Sequence, residues 1–207
     1  MIKPANIEAP APEISLDRKL SRDEINSLNI RAYQGPVELV QSHEHMLSAV
    51  QKLRNEHLLG FDTETRPAFI RGVSYPTALV QLAASNCVYI FQLRLLGDLG
   101  ELFSVLAGGK IIKAGVAISD DVKALRTLSD FDPAGFVDIG ICARKCGLQH
   151  HGLRGLTALF LGFRITKSSQ RYNWALPGLS QSAISYAATD AWVGRELYLV
   201  MKERGFI

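Results

Sequence analysis

The sequence predicts an α/β domain, and two patterns along the chain lead to this prediction. Short apolar runs typical of buried strands alternate with segments in which apolar residues recur at helical spacing. Three of the strand-like runs, at 58–65, 78–83 and 87–91, follow one another without a helical segment between them, which indicates a meander. The chain has 207 residues, of which 47% are hydrophobic, so it is long enough to bury one ample core.

The amino-terminal segment differs in composition from the rest of the chain. It contains Pro4, Pro10 and Pro12 among small and charged residues and offers too little apolar surface to fold alone. We expect a flexible arm over 1–21 and a single folded domain over 22–207.

The remaining elements follow from local patterns. A short strand is predicted at 37–40, and the helix that begins at Ser42 has an apolar face formed by Met46, Leu47, Val50 and Leu53. Further strands are predicted at 110–114 and 136–138, and further helices at 95–106, 139–146, 153–161 and 181–202. Strands and helices therefore alternate after the meander.

The strand at 58–65 ends in two carboxylates separated by one residue, Asp62 and Glu64. Because strand side chains alternate between faces, both carboxylates point to the same side of the sheet. Two adjacent like charges at the end of an apolar strand raise each other's cost of ionisation unless a cation lies between them. The pair therefore points to a divalent metal site, although solvated acids are also common at strand ends.

Two further acidic positions are ambiguous on their own. Asp120 and Asp121 follow Ser119, a predicted helix cap, and acids in a first helical turn complement the helix dipole without any catalytic role. In the last helix, Tyr186 and Asp190 are four residues apart and share one face, but a buried tyrosine beside an aspartate is also a common structural pair. Local pattern alone leaves the structural and the catalytic interpretation open.

The composition excludes several classes of protein. A formal charge of +3 and a pI near 8.8 indicate a mildly basic surface, compatible with nucleic acid but below that of a dedicated binder. Three cysteines, an odd number, argue against a disulfide framework. The sequence shows neither a secretion signal nor an apolar run long enough to span a bilayer, so we expect a cytoplasmic protein with no membrane association.

Zinc is a second metal hypothesis, because Cys142, Cys146, His150 and His151 lie close together in the sequence. Their spacing matches no zinc-ligand pattern, and small apolar cysteines at i and i+4 are usually core residues. The sequence therefore favours a structural role for these side chains.

Three motifs taken together resemble those of the DEDD superfamily of 3′–5′ exonucleases. They are Asp62-x-Glu64, the segment from Gly115 to Asp121, and Tyr186-x-x-x-Asp190, in the order found in that superfamily. The tyrosine matches the Tyr subtype, since the His subtype would need histidine at the position of Ser185. With Lys167-Ser168 and Asn173-Trp174 as further matches, the chain from about 31 to 205 is most similar to the Werner-syndrome-type exonuclease domain and, more widely, to ribonuclease D catalytic domains.

The resemblance implies a ribonuclease H-like fold, which is a mixed central β-sheet flanked by helices on both faces. It also implies that two Mg²⁺ or Mn²⁺ ions are held by four carboxylates, those of Asp62, Glu64, Asp121 and Asp190. In that arrangement Asp62 bridges both ions. Glu64 and Asp190 complete the site of the ion that activates the nucleophile, and Asp121 holds the other ion largely through water. Tyr186 orients the attacking water.

The resemblance further implies hydrolysis of phosphodiester bonds from the 3′ end of a nucleic acid, with release of nucleoside monophosphates. We expect DNA as the substrate, either single-stranded or with a recessed end. An RNA substrate and a non-catalytic nucleic-acid-binding module are the alternatives. Recruitment of a helicase or another protein partner is left open.

The loop at 167–174 mixes cations, amides and aromatics, which suits a surface that tracks a single strand as well as an ordinary polar loop. Lys167 and Arg71 are candidates for phosphate contacts. Trp174 is a candidate for base stacking or for bracing the loop, and Phe69 for packing against the terminal base or the core.

Overall fold

The computed structural model describes residues 18–70, 72–169 and 171–207. Within these ranges the strands are β1 (Val37–Val40), β2 (Leu58–Thr65), β3 (Thr77–Ala83), β4 (Val88–Gln92), β5 (Ile112–Gly115) and β6 (Phe136–Asp138). The helices are α1 (Arg22–Ser27), α2 (His43–Leu53), α3 (Gly100–Ala107), α4 (Ser119–Arg126), α5 (Ile139–Lys145), α6 (Leu153–Leu156) and α7 (Gln181–Glu203). A 3₁₀ turn at Leu93–Leu95 precedes α3, and a π-helical turn at Thr157–Leu161 extends α6. Most of the predicted arm over 1–21 lies outside the described residues.

The strands form one mixed sheet in the order β1-β4-β3-β2-β5-β6. β2, β3 and β4 pair antiparallel as the predicted meander, whereas β1 runs parallel to β4, and β5 runs parallel to both β2 and β6. Helices flank the sheet, so the mixed α/β fold class expected from the sequence is confirmed. β2 lies inside the sheet, where both of its faces can be covered.

The two faces of β2 lie in different environments. Leu59 and Phe61 are buried in a core that includes residues of α2 and α3. Gly60 and Asp62 alternate with them and therefore face the opposite side, which α7 covers. A single strand thus supplies one face to the apolar core and the other to α7.

α7 approaches the sheet closely because glycines line the contact. A Cβ atom added at Gly60 would lie 1.9 Å from the carbonyl oxygen of Ala191 on α7. A Cβ atom added at Gly194, on α7, would lie 2.9 Å from the carbonyl oxygen of Ala114 on β5. A side chain at either glycine would force the helix away from the sheet. The close approach brings Asp190, which precedes Ala191, towards β2.

Two helix predictions were wrong in detail. The helix predicted at 95–106 begins only at Gly100, because Gly97 adopts a φ of +71° that interrupts helical backbone. Leu47, expected on the apolar face of α2, is 42% exposed, and Ala49 is buried in its place. In the described part of the chain we find no helix whose length and apolarity would suit a membrane span.

Candidate active site

β2 and α7 bring three carboxylates together. Asp62 and Glu64 lie on the α7 side of β2, as strand alternation predicts, and Asp190 lies on α7 opposite them. One carboxylate oxygen from each residue lies within 4.8 Å of those of the other two. Oxygen donors of this kind are the ligands that Mg²⁺ and Mn²⁺ prefer. We refer to Asp62, Glu64 and Asp190 as the carboxylate triad.

The triad is largely shielded from water and partly held in place by the backbone. Asp190 is 7% exposed, and Asp62 and Glu64 are half-buried. Oδ1 of Asp62 accepts a hydrogen bond of 2.9 Å from the backbone N–H of Thr63. The register between β2 and β3 shifts between Glu64 and Thr65, which ends regular pairing just beyond the second carboxylate.

Burial and mutual repulsion disfavour ionisation of the triad. Burial, followed by the charges of Asp190 and Asp121, raises the pKa of Asp62 well above its ordinary value. Burial, followed by the charge of Asp62, raises the pKa of Glu64 to about 9. Burial raises the pKa of Asp190 to about 7, and the adjacent Tyr186 hydroxyl partly offsets this rise. A divalent cation between these groups would favour their charged forms.

The fourth predicted ligand, Asp121, lies beside the triad and outside it. It is in the first turn of α4, and its Oδ1 accepts a hydrogen bond from the Thr63 hydroxyl on β2. Its charge contributes to the raised pKa values of Asp62 and Glu64, so it is an electrostatic neighbour of both. Its function as a metal ligand stays a prediction.

Asp120, the acid next to Asp121, has a different environment. Its side chain is 91% exposed and pairs with Lys123 at 2.7 Å within the same helix. An exposed pair of this kind contributes little to stability, because water and salt screen it. Of the two adjacent acids, Asp121 is the one that faces β2, in agreement with the family resemblance.

The turn that carries α4 depends on a residue that the sequence analysis treated only as part of a strand. Asp138, at the end of β6, accepts hydrogen bonds from the N–H groups of Ala117 and Ile118 at 3.2 and 3.1 Å. Ala117 has a φ of +62°, which costs a non-glycine residue about 1–2 kcal/mol. Ile118 is the N-cap residue, so the expected cap at Ser119 was wrong by one position. The sequence offered one signal for this role, because an aspartate directly before a predicted helix is typical of a helix cap. In the structure Asp138 does cap α5.

Tyr186 lies one helical turn before Asp190 and on the same face of α7. It is 9% exposed, and burial together with the nearby carboxylates raises the pKa of its phenol. The hydroxyl therefore stays protonated at neutral pH and can donate a hydrogen bond. Its position agrees with the water-orienting role that the family resemblance implies, which stays a prediction.

Trp174 does not have the exposure that base stacking needs. It is 1% exposed, and its ring packs 5.0 Å from that of Tyr172 and 6.0 Å from that of Tyr186. A nucleobase cannot reach a ring buried on this scale, so the stacking hypothesis is corrected. Of the two roles left open by the sequence, bracing of the loop beside Tyr186 fits this position.

The other predicted substrate contacts differ in what the structure describes. Lys167 is exposed and lines a cavity of about 340 Å³ together with Tyr186 and Asp190. Phe69 is 79% exposed, so packing against the core is excluded for it. Arg71 lies outside the described residues. Contacts of Lys167 and Arg71 with phosphate stay predictions.

The residues considered for zinc have separate partners. His150 Nε2 accepts a hydrogen bond of 2.9 Å from the backbone N–H of Leu20. Cys146 Sγ lies 3.4 Å from the carbonyl oxygen of Phe206 and donates to it. His150 is buried, in agreement with a structural role, whereas Cys146 is exposed and Cys142 is half-buried, so the expected core position of these cysteines was wrong.

The donor set of the triad suits a divalent cation. Its carboxylate oxygens are hard ligands, and the raised pKa values show that the triad is costly to ionise without a compensating charge. Within the described residues, the salt bridges of the protein involve none of Asp62, Glu64 and Asp190, so no basic side chain supplies that charge.

Comparison with known proteins agrees with this geometry. Residues 37–205 match a family described as 3′–5′ exonuclease. The chain is 27% identical to ribonuclease D of Bartonella henselae, over 90% of this chain and 46% of that protein. It is 32% identical to the bifunctional 3′–5′ exonuclease/ATP-dependent helicase WRN of Mus musculus, over 71% of this chain and 11% of that protein. The chain thus spans less than half the length of these relatives.

A solved structure supports the fold independently. The EXO domain of Aedes aegypti Nibbler superposes with a TM-score of 0.74 at 22% identity, covering 84% of this chain and 91% of that domain. At this identity the likeness concerns the arrangement of helices and strands.

Proposed function

The chain belongs to the 3′–5′ exonuclease family of the DEDD superfamily, and from that membership we propose the bond that it hydrolyses and the strand end at which it acts. We propose a metal-dependent enzyme that removes nucleoside monophosphates one at a time from the 3′ end of a nucleic acid. The carboxylate triad carries this proposal, because one oxygen from each of its three acids lies within 4.8 Å of the others. Tyr186, four residues before Asp190, supports the Tyr subtype as part of this proposal.

Asp62, Glu64 and Asp190 would hold the divalent cation, with Asp121 as a further ligand for a second ion. Bound Mg²⁺ or Mn²⁺ supplies charge stabilisation at the phosphate and lowers the pKa of a water molecule. The chain contributes the closely spaced carboxylates, and α7 and β2 hold them in place. The first acid is additionally fixed by the Thr63 N–H.

The remaining side chains position the reacting groups. The protonated Tyr186 hydroxyl donates a hydrogen bond that orients the attacking water. The attacking water loses a proton to solvent as its oxygen forms a bond to phosphorus. The bond from phosphorus to the 3′ oxygen breaks, and the departing oxygen takes up a proton from solvent. Lys167 contacts a phosphate of the strand from the edge of the cavity beside Asp190.

Two sugars are candidates for the substrate strand. The motifs are most similar to those of the Werner-syndrome-type exonuclease domain, and on that resemblance we favour DNA. Similarity to ribonuclease D, over 90% of the chain, favours RNA. Recognition of a 2′-hydroxyl depends on groups that contact the sugar, so the substrate itself must decide between these candidates.

The test is digestion of matched 5′-labelled DNA and RNA oligonucleotides, single-stranded and with recessed ends, in Mg²⁺, Mn²⁺ or EDTA. In the presence of metal we expect a ladder of products that shorten from the 3′ end. With EDTA no ladder should form. The sugar that is digested faster identifies the substrate class.

Asp62→Ala is the negative control. Asp120→Ala is its matched variant, because it removes an acid that lies outside the triad. Cleavage by Asp62→Ala at the parental rate would refute the assignment. Binding of the oligonucleotides without cleavage by the parent would identify a non-catalytic binding module.

A further inference from the structure

Gln81 is a polar residue in the layer between the sheet and α7. It lies on β3, directly opposite Asp62 on β2 and Ile90 on β4. Residues directly opposite each other on paired strands project from the same face of a sheet. Gln81 therefore shares the α7 side of the sheet with Asp62.

The side chain of Gln81 is fully buried and lacks hydrogen-bond partners. It is 0% exposed, and neither its carbonyl oxygen nor its amide nitrogen has a partner among the described residues. A buried polar group without a partner costs on the order of 1–3 kcal/mol. An apolar side chain of the same length would remove this cost. Stability alone therefore does not account for glutamine at this position.

The neighbours of Gln81 limit the groups with which its amide can form a hydrogen bond. Along β3, the neighbours on the same face are Leu79 and Ala83, and Ile90 lies across on β4; all three belong to an apolar cluster with small residues of α7. On the β2 side the neighbour is Asp62, and directly opposed Cβ atoms are ~4.5–5.5 Å apart. A glutamine side chain with three rotatable bonds reaches a carboxylate at that separation.

The carboxylate of Asp62 has hydrogen-bonding capacity left for such a contact. Its Oδ1 is held by the Thr63 N–H, and this is the hydrogen bond that the carboxylate makes within the described residues. Carboxylates that bind metal ions are usually oriented by further hydrogen bonds from residues behind them. An amide donor opposite Asp62 is suited to that task.

We propose that Gln81 is a positioning residue for Asp62. Its amide donates a hydrogen bond to the Asp62 carboxylate when that carboxylate binds a divalent cation. This inference rests on the proposed metal-dependent function. Gln81 contacts neither the substrate nor the cation, and acts by fixing the orientation of one ligand. The unpartnered amide lowers the stability of the metal-free protein, and its hydrogen bond to Asp62 strengthens binding of the cation.

The test compares Mn²⁺ affinity with stability in purified, metal-free protein without substrate. Gln81→Met keeps the length of the side chain, and Gln81→Leu is a second apolar variant in case the first packs poorly. We expect the Mn²⁺ dissociation constant to rise 10- to 100-fold in both variants, as for other residues behind metal ligands. Unfolding by urea should show stability equal to or above that of the parent.

Thr77→Val is the matched control. Thr77 is also on β3, and its hydroxyl is likewise buried without a partner in the described residues, but its neighbour on β2 is Thr65. We expect this variant to bind Mn²⁺ like the parent.

Parental Mn²⁺ affinity in both Gln81 variants would overturn the proposal while leaving the exonuclease assignment intact. A shift in tryptophan fluorescence with parental Mn²⁺ affinity would also overturn it, because Gln81 would then serve the buried Trp174, whose ring nitrogen lacks a described partner. Failure of the parent itself to bind Mn²⁺ would overturn both this proposal and the proposed function.

Discussion

The two faces of β2 are built according to opposite requirements. On one face, Leu59 and Phe61 are at most 1% exposed, and Phe61 packs edge-on against Phe136 at 5.1 Å. On the other face, Asp62 and Glu64 lie among groups that raise their pKa values. The residues alternate along a single strand, so the backbone is shared while the chemistry of the two sides differs.

This difference separates stability from function within one element. The apolar face gains free energy from burial, about 25 cal/mol per Å² of apolar surface. The acidic face loses free energy through desolvation and repulsion, and a bound cation would offset this loss. Substitutions of the carboxylates on the acidic face should therefore affect activity far more than folding, and substitutions on the apolar face should do the reverse.

The largest expected effect is the loss of cleavage in Asp62→Ala and Asp190→Ala. Removal of a ligand should lower the rate by more than about 100-fold, since even the loss of a residue behind a ligand costs 10- to 100-fold. Circular dichroism should show an unchanged fold, because the substitution also removes repulsion within the triad. Parental activity in either folded variant would contradict the role of the acidic face.

Gly60→Ala should impair both stability and activity. The added methyl group would lie 1.9 Å from the Ala191 carbonyl oxygen, so α7 must shift and carry Asp190 away from β2. Overpacking of this kind typically costs about 1–3 kcal/mol, and urea unfolding measures it. Cleavage by the folded fraction should fall at the same time.

Gly178→Ala is the control for that substitution. An added Cβ atom at Gly178 meets nothing within 4 Å among the described residues, so stability and cleavage should both stay at the parental level. Equal behaviour of the two alanine variants would show that close contact between α7 and β2 does not position the triad.

Tyr186→Phe should slow turnover while keeping Mn²⁺ affinity. The ring keeps its packing against Trp174, and only the hydroxyl is lost. We expect kcat to fall by roughly 10-fold or more, below the ~10²–10⁴ of a direct general base. An unchanged rate constant of cleavage in single-turnover digestion would contradict the water-orienting role.

Leu82→Ala tests the apolar face and should have the smallest effect on chemistry. Leu82 is 0% exposed, pairs with Phe61 and faces the same core. The cavity should lower the free energy of unfolding by about 2–5 kcal/mol, while cleavage per folded molecule stays near the parental value. A large loss of specific activity without unfolding would show that the two faces are coupled.

Sequence patterns predicted the parts of this fold that depend on local spacing. Alternation placed Asp62 and Glu64 on one face, and the four-residue interval placed Tyr186 and Asp190 on one side of α7. The start of α3 was missed, because a glycine at 97 in the left-handed region interrupts an otherwise helical pattern.

The features that sequence patterns missed depend on contacts between distant residues. No local period relates β2 to α7, and the family resemblance supplied the grouping of the triad. The support of the α4 turn by Asp138 spans about 20 residues of chain, and the burial of Trp174 depends on packing around its loop. Gln81 looks like an ordinary polar residue in a strand until its register with Asp62 is known.

The most direct measurement of the difference between the two faces is the thermal stability of Asp62→Asn beside the parent, with and without Mn²⁺, at pH 5 and pH 8. Because the pKa of Glu64 is raised to about 9 and that of Asp190 to about 7, the folded metal-free protein binds more protons than the unfolded chain across this range. Its stability should therefore fall as pH rises from 5 to 8.

At pH 8 without metal, Asp62→Asn should have a Tm at least ~2 °C above that of the parent, which corresponds to roughly 1 kcal/mol for a chain of this size. Mn²⁺ should raise the Tm of the parent and leave that of the variant almost unchanged. A metal-free variant less stable than the parent, or equal stabilisation of both proteins by Mn²⁺, would contradict a face of β2 built to hold a cation.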